Sequence, residues 1–314
     1  MKKINISFSG MPLDFKNLLL FQTLNKFAKI KFCDSNNCDL YIYGPYFKVS
    51  KKNKYCPKFL RKYLISPYPW KRKLKPLTLF YSCENLRWNM YETDFSISSD
   101  LGVDDPNHFR LPYWMECLDW THYDLHDRQN IRYGSLVHIN SLTNGIDKKD
   151  LKISKNKIIF FASHLKEPRR SLLNNLRKFY TVDCFGPIFN KNIKDHNKSG
   201  FFKKDLIKNY KFSFCPENSI YPGYVTEKII DCLVAGVIPL YQGAPDVTDF
   251  IPKDCFIDIS EEMDLTKLEN RLDQISEVEG IKMIQAGQDF LRSSQAYPFS
   301  YQGFARKIAE LLKD

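Results

Sequence analysis

The chain has 314 residues, 43% hydrophobic and 15% aromatic, which excludes a disordered polypeptide and leaves room for two domains of ordinary size. Lys and Arg number 47 against 36 Asp and Glu, a formal net charge of +11, so the partner to expect is anionic: a nucleotide, a nucleic acid or an acidic membrane surface. The nine cysteines are odd in number and irregularly spaced, which suits reduced, buried thiols and argues against a disulfide framework.

The N-terminus, MKKINISFSG, alternates like a strand and lacks the apolar core of a secretory signal. No stretch reaches the ~20 apolar residues of a membrane span. A cytoplasmic protein is expected, free or peripheral on the cytoplasmic membrane face. Ile4 to Ser9 predicts a first strand, and Asp14 to Phe27, apolar at helical spacing, a helix. Ile30 to Cys33 and Leu40 to Tyr43 predict further strands, so the first half reads as α/β. Residues 57–76 mix Lys and Arg with Tyr, Pro and Trp. This composition suits a solvated connection better than nucleic-acid binding, because no nucleic-acid motif or repeat accompanies it. Leu77 to Ser82 predicts a strand with Glu84 and Asn85 directly after it, and Phe95 to Ser98 predicts another. His122 and His126 are four apart, with Asp124 and Asp127 beside them, but no third ligand stands at a telling spacing; a polar helix or loop is expected there, not a metal site.

Residues 140–157 are polar and turn-rich, and the domain boundary is placed there: 1–148 and 149–314. Ile158 to Ala162 predicts a buried strand, Ser163 to Arg170 a loop, Ser171 to Phe179 a helix, and Val182 to Phe185 a strand. Residues 190–200 form a basic loop. Lys211 to Gly243 is the most informative stretch. Phe212 to Cys215 predicts a buried strand ending at Pro216, and Glu217 to Gly223 a loop. A helix follows from Val225 or Thr226 to Ala235, with Thr226 as N-cap, Glu227 in the positive first turn and Gly236 as the left-handed stop. Val237 to Tyr241 predicts the next parallel strand. In such a βαβ unit the ligand crevice lies at the carboxyl end of the strand. Glu217, Asn218, Tyr221, Tyr224, Glu227 and Lys228 gather at that corner. Phe256 to Ile259 predicts a last strand. Leu265 to Ile275, Gly280 to Leu291 and Tyr301 to Leu312 predict amphipathic helices that close the second domain.

Lys228 and Arg170 follow separate strands and can converge on a diphosphate, Arg170 bidentately and Lys228 as a point charge, with the helix N-terminus adding its dipole. The chain contains no Asp-x-Asp pair with which to carry Mn²⁺ or Mg²⁺ to a diphosphate, so no obligatory metal is expected; a divalent ion can at most stimulate. The rival from a different class is a non-catalytic polyanion binder, which charge alone would support.

ENS at 217–219, YVTEKI at 224–229 and LVAGVIPLYQGAP at 233–245 stand in an order and spacing that resembles the donor-binding signature of the α-1,3/4-fucosyltransferases, glycosyltransferase family ten, bacterial type. The likeness extends upstream to Glu84-Asn85, RLPYW at 110–114, FFAS at 160–163, PRR at 168–170 and VDCFG at 182–186, so it covers Leu77 to Pro245. Two features depart from the family. Cys83 stands where many bacterial relatives have glycine, and the heptad-type C-terminal repeats of some relatives are absent. The resemblance implies a GT-B fold, two Rossmann-like α/β domains facing across a cleft, the first for the acceptor and the second for a GDP-sugar. It implies inverting transfer of L-fucose from GDP-β-L-fucose to a hydroxyl of an oligosaccharide or glycolipid, α-1,3 to GlcNAc or Glc in a surface glycan or lipopolysaccharide. Another GDP-sugar is the nearest alternative, since sugar choice rests on a few contacts. By resemblance Arg170 and Lys228 match the pyrophosphate pair, with Arg169 as the neighbouring candidate. Asn218, Tyr224 and Glu227 match contacts to the donor and its fucose, and Glu84 matches the general base.

Overall fold

The computed structural model describes residues 1–11, 15–34, 37–47, 76–119, 129–130, 134–135, 137–138, 154–189, 203, 206–259, 264–293 and 301–312. The basic segment up to residue 75, the His122 and His126 pair, the 148/149 boundary and the 190–200 loop lie outside the described residues. The chain divides into two compact units, residues 1–113 with 299–314, and residues 114–298.

The first unit holds a six-stranded sheet: β1 (Lys3–Ser9), β2 (Lys29–Phe32), β3 (Leu40–Tyr43), β4 (Leu77–Tyr81), β5 (Phe95–Ser98) and β6 (His108–Arg110). Their order is β2-β1-β3-β4-β5-β6, with every pairing parallel. β3 and β5 are buried along their whole length, as strands covered on both faces must be. The helix expected over 14–27 is shorter. A 3₁₀ turn at Phe15–Asn17 leads into α1 (Leu19–Leu24). Leu18 occupies the N-cap and its side chain makes no capping bond. Phe15 instead packs into a ring cluster with Phe8, Phe21 and Phe32. The closing helix α6 (Tyr301–Leu311) was assigned by sequence to the second domain; it lies against α1 of the first unit. Ala305 and Ile308 are buried, and the Arg306 guanidinium sits over the Phe27 ring at 5.7 Å. An amphipathic stripe states that a helix docks, but not onto which partner.

The second unit opens with two short ladders. In one, β7 (Leu118–Asp119) runs parallel to β10 (Val137–His138); in the other, β8 (Gln129–Asn130) runs antiparallel to β9 (Gly134–Ser135). Its main sheet comprises β11 (Ser154–Phe161), β12 (Thr181–Phe185), β13 (Tyr210–Pro216), β14 (Ile238–Gln242) and β15 (Ile257–Asp258), in parallel order β12-β11-β13-β14-β15. Helices α2 (Arg169–Leu176), α3 (Glu227–Ala235), α4 (Leu265–Gln274) and α5 (Glu277–Arg292) complete it. Ile158, Phe160, Phe212, Phe214, Ile238 and Leu240 form one core with Leu172 and Leu176 of α2, Leu272 of α4 and Ile284 of α5. The intervening Ile159 belongs to a separate cluster with Ile207 and Val237, so both faces of the sheet are covered. Each such side chain contributes about 1.5–3 kcal/mol by burial. α5 approaches α3 closely through Gly287, where an added Cβ would lie 2.6 Å from Leu233 Cδ2. Among the described residues no helix is long and apolar enough to cross a membrane.

Candidate functional site

β13 ends at Pro216, and the chain then turns through 217–226 into α3. The first residue after the strand, Glu217, is buried, its side chain fully so. Its main-chain N–H donates to Gln242 O at 2.7 Å, extending the ladder to β14. Its carboxylate accepts from Thr226 N at 2.7 Å, from Thr226 Oγ1 at 3.0 and 2.8 Å, and from Lys228 Nζ at 2.9 Å. Glycine at 243 makes room for this, since a Cβ there would come within 2.6 Å of Glu217 Cγ. Thr226 holds the N-cap position in extended conformation, as the sequence predicts, but its hydroxyl does not cap the helix. The hydroxyl donates to Glu217 and accepts from Lys228 Nζ at 2.6 Å. Gly236 is left-handed, with φ 71° and ψ 44°, and stops α3 where expected.

Lys228 is thus fixed by its neighbours. The Glu227 carboxylate stands 3.7 Å from the same ammonium. Burial pushes the Lys228 pKa down, but Glu217 and Glu227 outweigh it, and the pKa stands above the ordinary lysine value. Glu227 lies in the first turn of α3, where the helix dipole favours a carboxylate. Further along α3, Asp231 pairs with Lys203.

The two candidate arginines part company. The sequence places both in a loop, whereas the structure places them in the first turn of α2. Arg170 is exposed. Arg169 is 4% exposed and reaches the Pro216–Asn218 turn: Nε donates to Glu217 O at 3.1 Å, and Nη2 donates to Pro216 O at 2.9 Å and to Asn218 Oδ1. Burial lowers the Arg169 pKa, and Glu217, Tyr224 and Glu227 oppose that shift; all of them lie close enough to act on it. Asn218 is exposed with its amide oxygen anchored by this arginine. Tyr224 is buried, its N–H donating to Tyr221 O at 3.1 Å. Gly223, at φ 75°, turns the loop and donates its N–H to Asp246 Oδ1 at 2.9 Å. The structure therefore brings Arg169, Asn218, Tyr224, Glu227 and Lys228 to one corner of the second unit, with Glu217 beneath them. Arg170 makes no hydrogen bond to that corner among the described residues. The sequence places Glu217 at the corner but not at its centre. Its central place follows from a strand that ends in a buried proline directly before it and from a lysine one turn into the next helix.

In the first unit Glu84 stands after β4, half-buried, with Tyr46 Oη donating to its Oε1 at 2.6 Å. Its carbonyl accepts from Ser82 Oγ and Leu86 N, both at 2.7 Å, which tightens the turn. Cys83 is buried at 6% exposure. Asn85 Oδ1 accepts from Arg87, which also pairs with Asp100. Tyr46 is a partner that sequence reasoning did not find, because it lies 38 residues upstream. Cys33, Cys38, Cys83, Cys184, Cys215, Cys232 and Cys255 are free thiols. Among the described residues no group of three His, Cys, Asp or Glu side chains could hold a metal ion.

Comparison with known proteins agrees with the resemblance read from the motifs. Residues 151–280 match the sequence profile of "Glycosyltransferase family 10 (fucosyltransferase) C-term". The chain is 28% identical over 195 residues to the alpha-(1,3)-fucosyltransferase FucT of Helicobacter pylori, covering 56% of this chain and 39% of that protein. It is 32% identical over 116 residues to human GDP-fucose protein O-fucosyltransferase 3, covering 32% of this chain and 24% of that protein. The chain thus spans well under half the length of these relatives. A crystal structure of an alpha1,3-fucosyltransferase with GDP superposes over 100% of this chain and 91% of its own, at 20% identity and a TM-score of 0.64. The same enzyme class with GDP-fucose gives a TM-score of 0.65 at 18% identity. At these identities the likeness establishes the fold, two parallel α/β sheets of the GT-B type. The likeness to glycosyltransferase family 10, the fucosyltransferase family, is to its C-terminal part and lies in residues 151–280 of this chain.

Proposed function

We propose that the protein transfers L-fucose from GDP-β-L-fucose to an acceptor hydroxyl with inversion, and that the corner at the start of α3 receives the donor. The observation that carries this reading is the convergence of Arg169, Asn218, Tyr224, Glu227 and Lys228 on one helix N-terminus within a family 10 domain. A diphosphate leaving group gains negative charge as the glycosidic bond breaks, and fixed cations plus helix amides stabilise it. Lys228 and Arg169 supply the cations; Arg169, buried in the corner, fits this role better than exposed Arg170. Glu227 and Asn218 hold sugar hydroxyls, and the Glu227 carboxylate stabilises positive charge at the anomeric carbon. Glu84 removes the acceptor hydroxyl proton, and Tyr46 orients it. With cations of the chain at the diphosphate, the step needs no metal, and Mn²⁺ or Mg²⁺ can only aid product release. The acceptor is an oligosaccharide or glycolipid, as for an α-1,3-fucosyltransferase acting in surface-glycan or lipopolysaccharide synthesis, and +11 allows peripheral contact with an anionic membrane face. Similarity to the protein O-fucosyltransferase favours a second acceptor class, the hydroxyl of a polypeptide.

Calorimetry with GDP, GDP-fucose, GDP-mannose and UDP, followed by GDP release in the presence of saccharide and peptide acceptors, tests the reading. Selective binding of GDP and turnover of GDP-fucose are expected. Tighter binding of UDP, or turnover only of another GDP-sugar, would overturn the donor assignment.

A further inference from the structure

We infer that Glu217 is a positioning residue for donor binding: its buried carboxylate fixes the Lys228 ammonium and the entry of α3 in the geometry that receives the diphosphate. This rests on the donor reading above.

Lysine ends in a compact point charge on a flexible four-carbon stem, which loses considerable rotamer freedom when held in one place. At this corner that freedom is removed before any ligand arrives. Two hydrogen bonds, to Glu217 Oε2 at 2.9 Å and Thr226 Oγ1 at 2.6 Å, hold Nζ from the protein side. Glu227, at 3.7 Å, completes the surround. The same Glu217 carboxylate accepts from Thr226 N, the amide at the head of α3, so one side chain sets both the cation and the helix entry. Glu217 is itself over-determined. Its N–H is tied to Gln242, its carbonyl to Arg169 Nε, and its Cγ packs where only glycine fits at 243. Since its side chain is fully buried, Glu217 acts through Lys228 and Thr226 rather than by touching the donor. A carboxylate placed merely to stabilise the fold would not need the one lysine of the signature as its partner.

The charged and titratable groups that bear on Lys228 are Glu217 on the β13 exit, Glu227 on its own helix, Arg169 at the head of α2, and the buried thiol of Cys215 on β13. With Glu217 neutralised, burial and Arg169 act on the ammonium against Glu227 alone, so its titration moves to lower pH.

The test compares the wild type with Glu217→Gln and Thr226→Val, using GDP as the calorimetric probe and the pH profile of kcat/KM for GDP-fucose. Both variants should weaken GDP binding and raise the donor KM, Glu217→Gln on the order of 10²-fold, the effect of a misplaced binding group. Only Glu217→Gln should move the alkaline limb of the profile to lower pH; a purely structural role would leave that limb in place. A folded Glu217→Gln protein with wild-type GDP affinity and an unmoved limb overturns the inference. If Glu217→Gln does not fold, wild-type GDP affinity in Thr226→Val overturns it instead. A wild type that fails to bind GDP overturns the donor reading itself, and this inference with it.

Discussion

Truncating Lys228 to alanine should cost stability as well as activity. The reason is the carboxylate left behind. The Glu217 side chain has no exposure, and Lys228 is its charged partner at 2.9 Å. Removing one member of a buried pair costs about 3–5 kcal/mol, because the remaining charge loses its compensation. Glu217 would keep its bonds from Thr226 N and Oγ1, and the Lys228 side chain is 18% exposed, so water can enter the space it vacates. Both facts place the cost at the lower end, about 3 kcal/mol. For a unit of this size that lowers Tm by roughly 6–12 °C. Urea and thermal denaturation of the full chain would measure it in Lys228→Ala, Glu217→Gln and the double variant. Glutamine keeps the shape of Glu217 and removes the charge, so the double variant should be more stable than Lys228→Ala alone. Stability losses that add within about 0.5 kcal/mol would refute the reasoning, since independent sites behave that way and an ion pair does not.

Other expectations follow from the same geometry. Lys228→Ala should also weaken GDP binding and turnover together, by at least ~2 kcal/mol in transition-state terms, measured by calorimetry and steady-state kinetics. Arg169→Ala should weaken GDP binding more than Arg170→Ala in the same titration, because Arg169 holds Asn218 and the 216–217 carbonyls while Arg170 is exposed. Glu84→Gln should leave GDP affinity nearly intact and lower kcat by roughly 10²-fold or more at saturating substrates, the usual scale of general-base loss. Turnover should persist in EDTA; a complete loss restored by metal would contradict the metal-free step and point to His122 and His126. The pKa of Lys228 is raised in the folded state, so its contribution to stability is full below the ordinary value of 10.5 and is lost as pH rises through the raised value. The stability difference between wild type and Lys228→Ala should therefore hold from neutral pH to about 10 and shrink only above it, as followed by urea midpoints.

Much of the fold was legible because period and punctuation agree in this chain. Phe212 to Cys215, Pro216, the polar turn, Thr226, Gly236 and Ile238 each carry a local reason for their element, and the βαβ unit formed as read. Where local reasons run out, the sequence reading drifts. The predicted 14–27 helix is replaced by a 3₁₀ turn and a short helix packed around a phenylalanine cluster whose members meet only in the fold. The closing helix displays an apolar stripe that would suit either unit, and α1 claims it. At the corner, residue types predicted a cluster but not its wiring. That Arg169 turns inward while Arg170 faces solvent depends on where α2 begins, two residues earlier than expected. Glu217 reads as one of six residues at the corner, and only the tertiary structure shows it buried against Thr226 and Lys228. Tyr46 reaches Glu84 across 38 residues of sequence, a distance no local pattern reports.

The most direct test of fucosyl transfer is the product itself. Wild-type protein incubated with GDP-β-L-fucose and a panel of saccharide and peptide acceptors, with GDP release followed and the product analysed by NMR, should yield free GDP and an α-L-fucoside in equal amounts. A β-linked product, or GDP-fucose left intact with every acceptor by a protein that does not bind GDP, would contradict it.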